Sequence, residues 1–415
     1  MKTENCIALC ITLALNGKMA IRFFVFAILL GIISDIPSLS ARVIDIGEAT
    51  REAGDTVSIR IHSPDSETLQ MARRAFALHG GFRVVNDGEA AVTATFTPRG
   101  DAIELELRAR GNTATRTIRA GSLRESVLLA GDRVVEAVFR TPGFFNSRLA
   151  FVGKPRGHTE VFTSDLLFQQ VRAITSDRSL VVAPRWSPDG RKLVYTSYHA
   201  SGFPDIFTID LVTGRREPMA TFRGTNAGAS FSPDGREIAM ALSGTGNSEI
   251  FVANSNGTNL RRLTNNRSLE SSPSWSPDGT RLVFTSDAPG RPQLHEMSSR
   301  GGAMRRIPTD ISGYCAEPHW NPRDENLIAF TAAVASGFQI AIFDRSSGRS
   351  RFVSNVAGSG VEPHWLNDGR HLLFTERRGN TKRLMILDSI SGRSAPLHSS
   401  ALGDVSHGSA NYPTR

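Results

Sequence analysis

The chain has 415 residues, 40% of them hydrophobic, with a formal net charge of +8 and an isoelectric point near 9.9. This length exceeds one ordinary compact domain unless the fold is a large β architecture, and the hydrophobic fraction is enough to bury a sizeable core. A basic balance fits nucleic acid, anionic lipid or an acidic protein as partner, but the Lys and Arg residues are scattered without interleaved aromatics, which argues against nucleic acid.

An apolar run at residues 21–33, IRFFVFAILLGII, has basic residues around its start and small residues after it at the positions that a signal peptidase reads. This pattern predicts a secretory signal peptide over residues 1–40, cleaved after Ser40 or Ala41, with Met19 as an alternative start. The run is short for a bilayer span, so a membrane anchor is the less favoured interpretation. We therefore expect an exported protein with no stable membrane insertion after cleavage.

Cysteine usage is consistent with export. Cys6 and Cys10 fall within the predicted leader, so Cys315 is the single cysteine of the expected mature chain. An intramolecular disulfide is then excluded, and stability must come from packing.

Residues 41–141 predict a small α/β domain. Four of its segments alternate apolar and polar residues as strands do. These segments are 82–86, 91–98, 102–110 and 114–120. Residues 142–145 form the predicted linker to the rest of the chain.

Two helices complete this domain. Residues 66–79 have the spacing of an amphipathic helix, and the glycine pair that follows ends it. A capping-box pattern from Ser122 to Glu125 opens a second helix that runs to about Arg140.

From residue 146 onward one phrase recurs, and WSPDGRKLVYTS and WSPDGTRLVFTS are its clearest copies. The anchors are Trp186, Phe231, Trp275, Trp320 and Trp365, at steps of 45, 44, 45 and 45 residues. A period in this range, with several short strands per unit, is typical of β-propeller blades. In each copy the aromatic is a wedge between sheets, Ser-Pro-Asp-Gly is turn chemistry, and the run after it alternates as a strand.

Six units are counted from one position of the second strand. That position holds Phe151, Tyr195, Met240, Phe284, Phe330 and Phe374. The first unit has no anchor strand in front of it, and the segment from Ser409 to Tyr412 can supply one. We predict a mainly β fold, a six-bladed β-propeller over residues 146–415 closed by pairing its two ends, preceded by the α/β domain. A closed ring hides its strand edges, which favours a monomer.

A secretory leader, a small α/β domain and six WSPDG blades together resemble the TolB family, whose propellers are built from WD40-like PD40 repeats. The phrases APRWSPDGRKLVYTS, TNAGASFSPDG and FTSDAPGRPQ carry the likeness. The resemblance implies a periplasmic, non-catalytic, cofactor-free component of a Tol–Pal system. It also implies roles in outer-membrane integrity, protein transport and cell division. The expected partners are a Pal-like lipoprotein at the channel mouth and a TolA-like inner-membrane protein at the N-terminus.

The resemblance also implies positions for these contacts. The Pal-like partner would meet the loops that lead into two anchor strands, at Thr225, Asn226, Ala227, Gly228, Glu270, Ser271 and Ser272. The TolA-like partner would meet Arg42, Val43, Ile44, Asp45 and Ile46. The chain departs from the family motif at Thr225, where a His is common, and at Ser271–Ser272, where a Thr-Glu pair is common.

An enzyme or ligand-binding propeller with a channel metal is the alternative. No hydrolase elbow, zincin, P-loop or dinucleotide motif occurs. The recurring EPHW phrase places Glu317, His319, Glu362 and His364 on adjacent blades, and His and Glu are ligands for divalent metals. Repeat residues that satisfy backbone groups are the simpler interpretation. A third hypothesis is a scaffold of the same fold without Tol partners.

Overall fold

The computed structural model describes residues 56–155, 157–399 and 402–413. The predicted signal peptide and the candidate contact residues at positions 42–46 lie outside the described residues. Neither helix in the described ranges is long and apolar enough to cross a bilayer.

The α/β domain packs two helices on one sheet. Its elements are β1 (Val57–His62), α1 (Ser66–Leu78), β2 (Phe82–Val84), β3 (Val92–Arg99), β4 (Ala102–Ala109), β5 (Asn112–Arg119) and α2 (Leu123–Phe139). The strand order is β2-β1-β3-β4-β5, with β1 parallel to β2 and β3. Both helices and four of the strands follow the prediction, whereas no prediction covered β1.

Side-chain caps start both helices where the sequence predicts. Asp65 accepts a hydrogen bond from the backbone N–H of Thr68 at 2.7 Å, and Ser122 accepts one from that of Glu125 at 3.2 Å. These bonds satisfy backbone donors that the first helical turn leaves free.

Six four-stranded sheets follow. Blades 1 and 2 use β6 (Arg148–Gly153), β7 (Glu160–Asp165), β8 (Arg172–Ala173), β9 (Val181–Trp186), β10 (Lys192–Ser197), β11 (Asp205–Asp210) and β12 (Arg216–Ala220). Blades 3 and 4 use β13 (Asn226–Phe231), β14 (Glu237–Leu242), β15 (Glu249–Asn254), β16 (Arg261–Arg262), β17 (Glu270–Trp275), β18 (Arg281–Ser286), β19 (Gln293–Ser298) and β20 (Arg305–Arg306). Blades 5 and 6 use β21 (Cys315–Trp320), β22 (Leu327–Val334), β23 (Gly337–Asp344), β24 (Arg349–Phe352), β25 (Ser359–Trp365), β26 (His371–Arg378), β27 (Thr381–Asp388) and β28 (Ser394–Pro396).

The predicted ring closure is confirmed. The last strand, β29 (Val405–Asn411), pairs antiparallel with β6 and completes blade 1 in the order β29-β6-β7-β8. Innermost strands β9, β13, β17, β21, β25 and β29 therefore line one central channel. The anchor aromatics act as wedges: Trp275, for example, packs in one buried cluster with Ala239 and Val252 of the preceding blade.

The α/β domain docks on the channel end that carries the Asp-Gly turns. The side-chain N–H of Asn367 donates to the carbonyl of Gly143 at 2.9 Å, and Gly80 donates its N–H to Nε2 of His371 at 3.3 Å. Phe144 and Phe145 of the predicted linker are fully buried. One hydrophobic core runs from the α/β domain into blades 1 and 6. The opposite channel end, which we call the mouth, is formed by the loops that lead into the innermost strands.

Candidate functional site

Every innermost strand carries a bulge at the same place. The bulged residues are Ala183, Gly228, Ser272, Glu317, Glu362 and His407, all with φ between 53° and 66°. At each of them the pairing with the second strand shifts register. A bulge re-aims the side chain of its strand, and here all six residues line the channel cavity of about 420 Å³.

The channel is chemically two-sided. At the bulges, three blades carry the small, neutral residues Ala183, Gly228 and Ser272, and the other three carry the ionisable residues Glu317, Glu362 and His407. Arg185 of β9 adds a positive charge to the lining on the first side. A partner entering the channel would meet different chemistry on the two sides.

The two channel carboxylates join neighbouring blades. Glu317 Oε2 accepts from Thr331 Oγ1 at 2.8 Å and from the backbone N–H of Glu362 at 2.9 Å. Glu362 Oε2 accepts from Thr375 Oγ1 at 2.7 Å and from the backbone N–H of His407 at 3.1 Å. Each carboxylate therefore satisfies the bulged backbone of the next blade, which is the structural role that the simpler interpretation assigns to these residues.

The channel histidines lie against one another. The His319 and His364 rings are 4.0 Å apart between centroids, and His319 Nδ1 accepts from the backbone N–H of Trp365 at 3.1 Å. Burial, and then the charge of Arg185, lowers the pKa of His319 to about 3. Burial, with His319 and Arg185, also holds the pKa of His364 well below its usual value. Both rings are therefore neutral at physiological pH.

The channel set is not assembled as a metal centre. Among the described residues, the single group of three His, Cys, Asp or Glu side chains with ligand atoms close enough to share an ion is His79, Asp368 and His371, outside the channel. In the channel, Glu317, His319 and Glu362 bond instead to backbone groups, hydroxyls and a guanidinium. Nδ1 of His364 is buried without a hydrogen-bond partner among the described residues. The channel metal stays a prediction without geometric support.

The group His79, Asp368 and His371 lies fully buried between the α/β domain and blade 6. The distance from His371 Nδ1 to Asp368 Oδ2 is 2.6 Å, and His79 Nδ1 accepts from the backbone N–H of Gly81 at 3.1 Å. With the bond from Gly80, these contacts already engage both ring nitrogens of His371. Sequence analysis missed this junction, and its one local signal is a His after an Asp-Gly turn.

The predicted Pal-contact residues all lie at the mouth, but in two environments. Thr225 and Ser271 are exposed, and Ala227, Gly228 and Ser272 line the channel. Asn226 and Glu270 are instead fully buried.

The two buried residues hold the loops of the mouth. The side-chain N–H₂ of Asn226 donates to the carbonyl of Phe222 at 2.7 Å and to that of Pro204 at 3.1 Å. Glu270 Oε1 accepts from Ser286 Oγ at 2.8 Å. Asn226 and Glu270 therefore position the neighbouring loops and do not themselves face solvent.

Apolar side chains ring the mouth. Of the eleven large hydrophobic residues exposed in the described part of the chain, six lie at the mouth, five in loops that lead into innermost strands and one, Phe203, in the turn between β10 and β11. They are Leu180, Phe203, Phe222, Leu269, Tyr314 and Leu402, between 36% and 64% exposed. We call these six residues the mouth surface. They lie on separate loops of one channel end, where a protein partner that covers this end would bury them together.

Residues 135–409 match the family model described as the TolB beta propeller domain. The chain is 31% identical over 183 residues to the Tol–Pal system protein TolB of Desulfosudis oleivorans, covering 42% of this chain and 41% of that protein. It is 29% identical over 184 residues to the protein of the same name from Chromobacterium violaceum, covering 37% and 43%. The matched part thus spans about two fifths of these relatives. The crystal structure of TolB from Acinetobacter baumannii shares the fold, with a TM-score of 0.75 at 22% identity over 88% of this chain and 98% of that one.

Proposed function

Because the chain belongs to the family of the TolB β-propeller domain, we propose that it is a non-catalytic protein-interaction component of a Tol–Pal system. The family match over residues 135–409 and relatives named as Tol–Pal proteins support this class. The mouth surface carries the proposal, because it offers apolar contacts around a channel end that the α/β domain leaves open.

The partner proposed for the mouth is the soluble domain of a Pal-like outer-membrane lipoprotein. The exposed apolar residues supply the buried part of such an interface. Ala227, Gly228, Ser271 and Ser272 supply its polar and close-approach contacts near the channel. Asn226 would act by holding the loop that carries Phe222.

The second proposed partner is a TolA-like inner-membrane protein that engages residues 42–46 after export to the periplasm. The leader pattern at residues 21–33 and the family support this half of the proposal. Linking the two partners would serve outer-membrane integrity and cell division.

The mouth contact is tested by calorimetric titration of the chain from Ala41 onward with the soluble domain of the Pal-like lipoprotein from the same organism. We expect 1:1 binding with a micromolar or lower dissociation constant. The substitutions Phe203→Ser and Leu269→Ser should each weaken it about tenfold or more, since truncated hot-spot residues cost over 1 kcal/mol.

The control is Val212→Ser, which is 73% exposed in the loop after β11 at the opposite channel end. This variant should bind as the unmodified chain does. Absence of binding at high concentration, or equal losses in all three variants, would contradict the proposed mouth contact.

A further inference from the structure

Each blade boundary has two equivalent positions near the mouth, one on each of the two blades. The first position is on the third strand of a blade, two residues before the residue that pairs with the second-strand position used above to count the blades. The second position is on the innermost strand of the next blade, two residues before its bulged residue. The six pairs are Glu160 and Val181, Asp205 and Asn226, Glu249 and Glu270, Gln293 and Cys315, Gln339 and Gly360, and Arg383 and Val405. Only the boundary of blades 3 and 4 places two carboxyl groups there.

The other acidic members of this set have donors. Glu160 accepts from Thr175 Oγ1 at 2.5 Å and from the backbone N–H groups of Asp177 and Arg178. Asp205 Oδ1 lies 3.3 Å from the side-chain N–H₂ of Asn226, a carboxylate with an amide. The carboxylates at these two boundaries therefore have hydrogen-bond donors from the protein itself.

Glu249 and Glu270 are both 0% exposed. Glu249 Oε1 accepts from Arg262 at 2.7 Å and from the backbone N–H of Asn266 at 2.9 Å, and Glu270 Oε1 accepts from Ser286. The second oxygen of each side chain, Oε2, is buried without a donor in the described part of the protein. Each carboxyl group is near enough to the other, across the blade boundary, to influence its pKa. Two carboxyl oxygens form a hydrogen bond only when one of them carries a proton.

The balance of charge around the two carboxyl groups also favours one proton bound between them. Arg262 is the cation that faces it, and Asp287, at the end of β18, is occupied by the backbone N–H of Leu269 at 2.7 Å. Two carboxylates and one guanidinium would leave an uncompensated negative charge in the interior, which is costly. Burial, and then Glu249, raises the pKa of Glu270 to about 7. Burial would raise the pKa of Glu249 too, but its polar neighbours, first Thr264 and then Asn266 and Arg262, lower it.

The pair lies directly beneath the mouth surface. Glu270 stands between Leu269, which is exposed, and Ser271, and its backbone N–H donates to the carbonyl of Ser248 at 2.9 Å. Movement at this boundary therefore moves Leu269.

We propose that Glu249 and Glu270 form a proton-binding site under the mouth, and that release of its proton loosens the boundary of blades 3 and 4 and weakens partner binding. The second half rests on the proposed function of the mouth, whereas the first half does not.

The proton site is tested by thermal unfolding of the chain from Ala41 onward between pH 5 and pH 9. Glu270→Gln turns the pair into the carboxylate–amide arrangement that Asp205 and Asn226 already have. Folding raises the pKa of Glu270 to about 7. The stabilisation by the protonated group is therefore fully present below the pKa of the unfolded chain and is lost as the pH rises toward 7. The quantity compared is Tm of Glu270→Gln minus Tm of the unmodified chain at the same pH. We expect this difference to increase by about 3 °C or more between pH 5 and pH 8.5.

A second variant tests whether a new proton-binding site can be introduced at another blade boundary. Asn226→Asp creates a two-carboxyl pair at the preceding boundary and should add a new decline of Tm with rising pH. Infrared spectra at pH 6 should contain a protonated-carboxyl band that Glu270→Gln lacks. Parallel pH profiles for the three proteins and no such band would overturn the proton site.

The coupling to the mouth is tested by titrating the Pal-like domain at pH 6 and pH 8.5. The unmodified chain should bind about tenfold more weakly at pH 8.5, and Glu270→Gln equally at both values. Equal binding by the unmodified chain at both values would overturn the coupling. No binding at either value would refute the mouth function and with it the coupling, while the unfolding data still decide the proton site.

Discussion

At the scale of single residues, the channel shows why a repeat position is not an active site by default. Glu317 and Glu362 hold left-handed conformations that non-glycine residues seldom adopt, and their carboxylates bond the next bulge. Recurrence of a Glu on adjacent blades reflects this shared backbone task. The EPHW phrase could predict that the residues meet in the channel, but not which of their atoms remain free.

Glu362 should matter for stability. Burial alone would raise its pKa, but His407 and Arg377 outweigh burial and lower it, so the group is ionised. Glu362→Ala removes the acceptor for Thr375, the His407 backbone and Arg377, and we expect a loss of about 3 kcal/mol in the free energy of unfolding. Urea denaturation measures it. The control Glu376→Ala, on the neighbouring strand β26, should change stability by less than about 0.5 kcal/mol. Equal effects would contradict the bridging role.

At the scale of elements, the sequence patterns predict most of the fold. The cap of α2 follows from its capping box, and the four strands after α1, the six blades and the closing strand follow from alternation, turn residues and a 45-residue period. β1 alternates equally well, but it pairs in parallel with β2 and β3, so no hairpin turn marks it. The loops of the mouth were predictable from the period. The burial of Asn226 and Glu270 was not, because it depends on contacts across blade boundaries.

Asp132 joins α2 to the linker and to the segment after β29, and it should make stability depend on pH. Its carboxyl in α2 accepts from Tyr412 at 2.7 Å, from the backbone of Phe145 at 2.6 Å and from that of Asn146 at 3.1 Å. Burial outweighs these bonds and raises its pKa to about 7. The stabilising contribution is therefore complete below the unfolded pKa of about 3.9 and is lost as the pH rises to about 7.

Asp132→Asn stays neutral at every pH. Relative to the unmodified protein, its free energy of unfolding should gain about 4 kcal/mol between pH 4 and pH 8. Urea denaturation across this range measures the difference. Asp101→Asn, at a surface ion pair with Arg119, is the control and should follow the unmodified protein. A constant offset for Asp132→Asn across the range would refute the shifted pKa.

At the scale of the whole molecule, the α/β domain and the propeller should unfold together. Their shared core and the buried junction at His371 leave no separable interface. Scanning calorimetry should give one transition. Gly80→Ala should lower Tm or split the transition, because a Cβ there would lie 2.5 Å from that of Asp388, whose carboxylate Arg370 holds at 2.6 and 2.7 Å. Gly313→Ala, where a Cβ would meet only the Arg291 side chain at 3.6 Å, controls for the substitution itself. Two transitions in the unmodified chain would contradict the shared core.

Blade 1 has a consequence for the order of events during biosynthesis. Its innermost strand, β29, follows the other five blades in the chain, so β6 has an unpaired edge until those blades have been made. Such an edge can recruit strands from other chains. A chain interrupted before Val405 would therefore be an aggregation hazard, because it lacks the strand that covers the edge of β6.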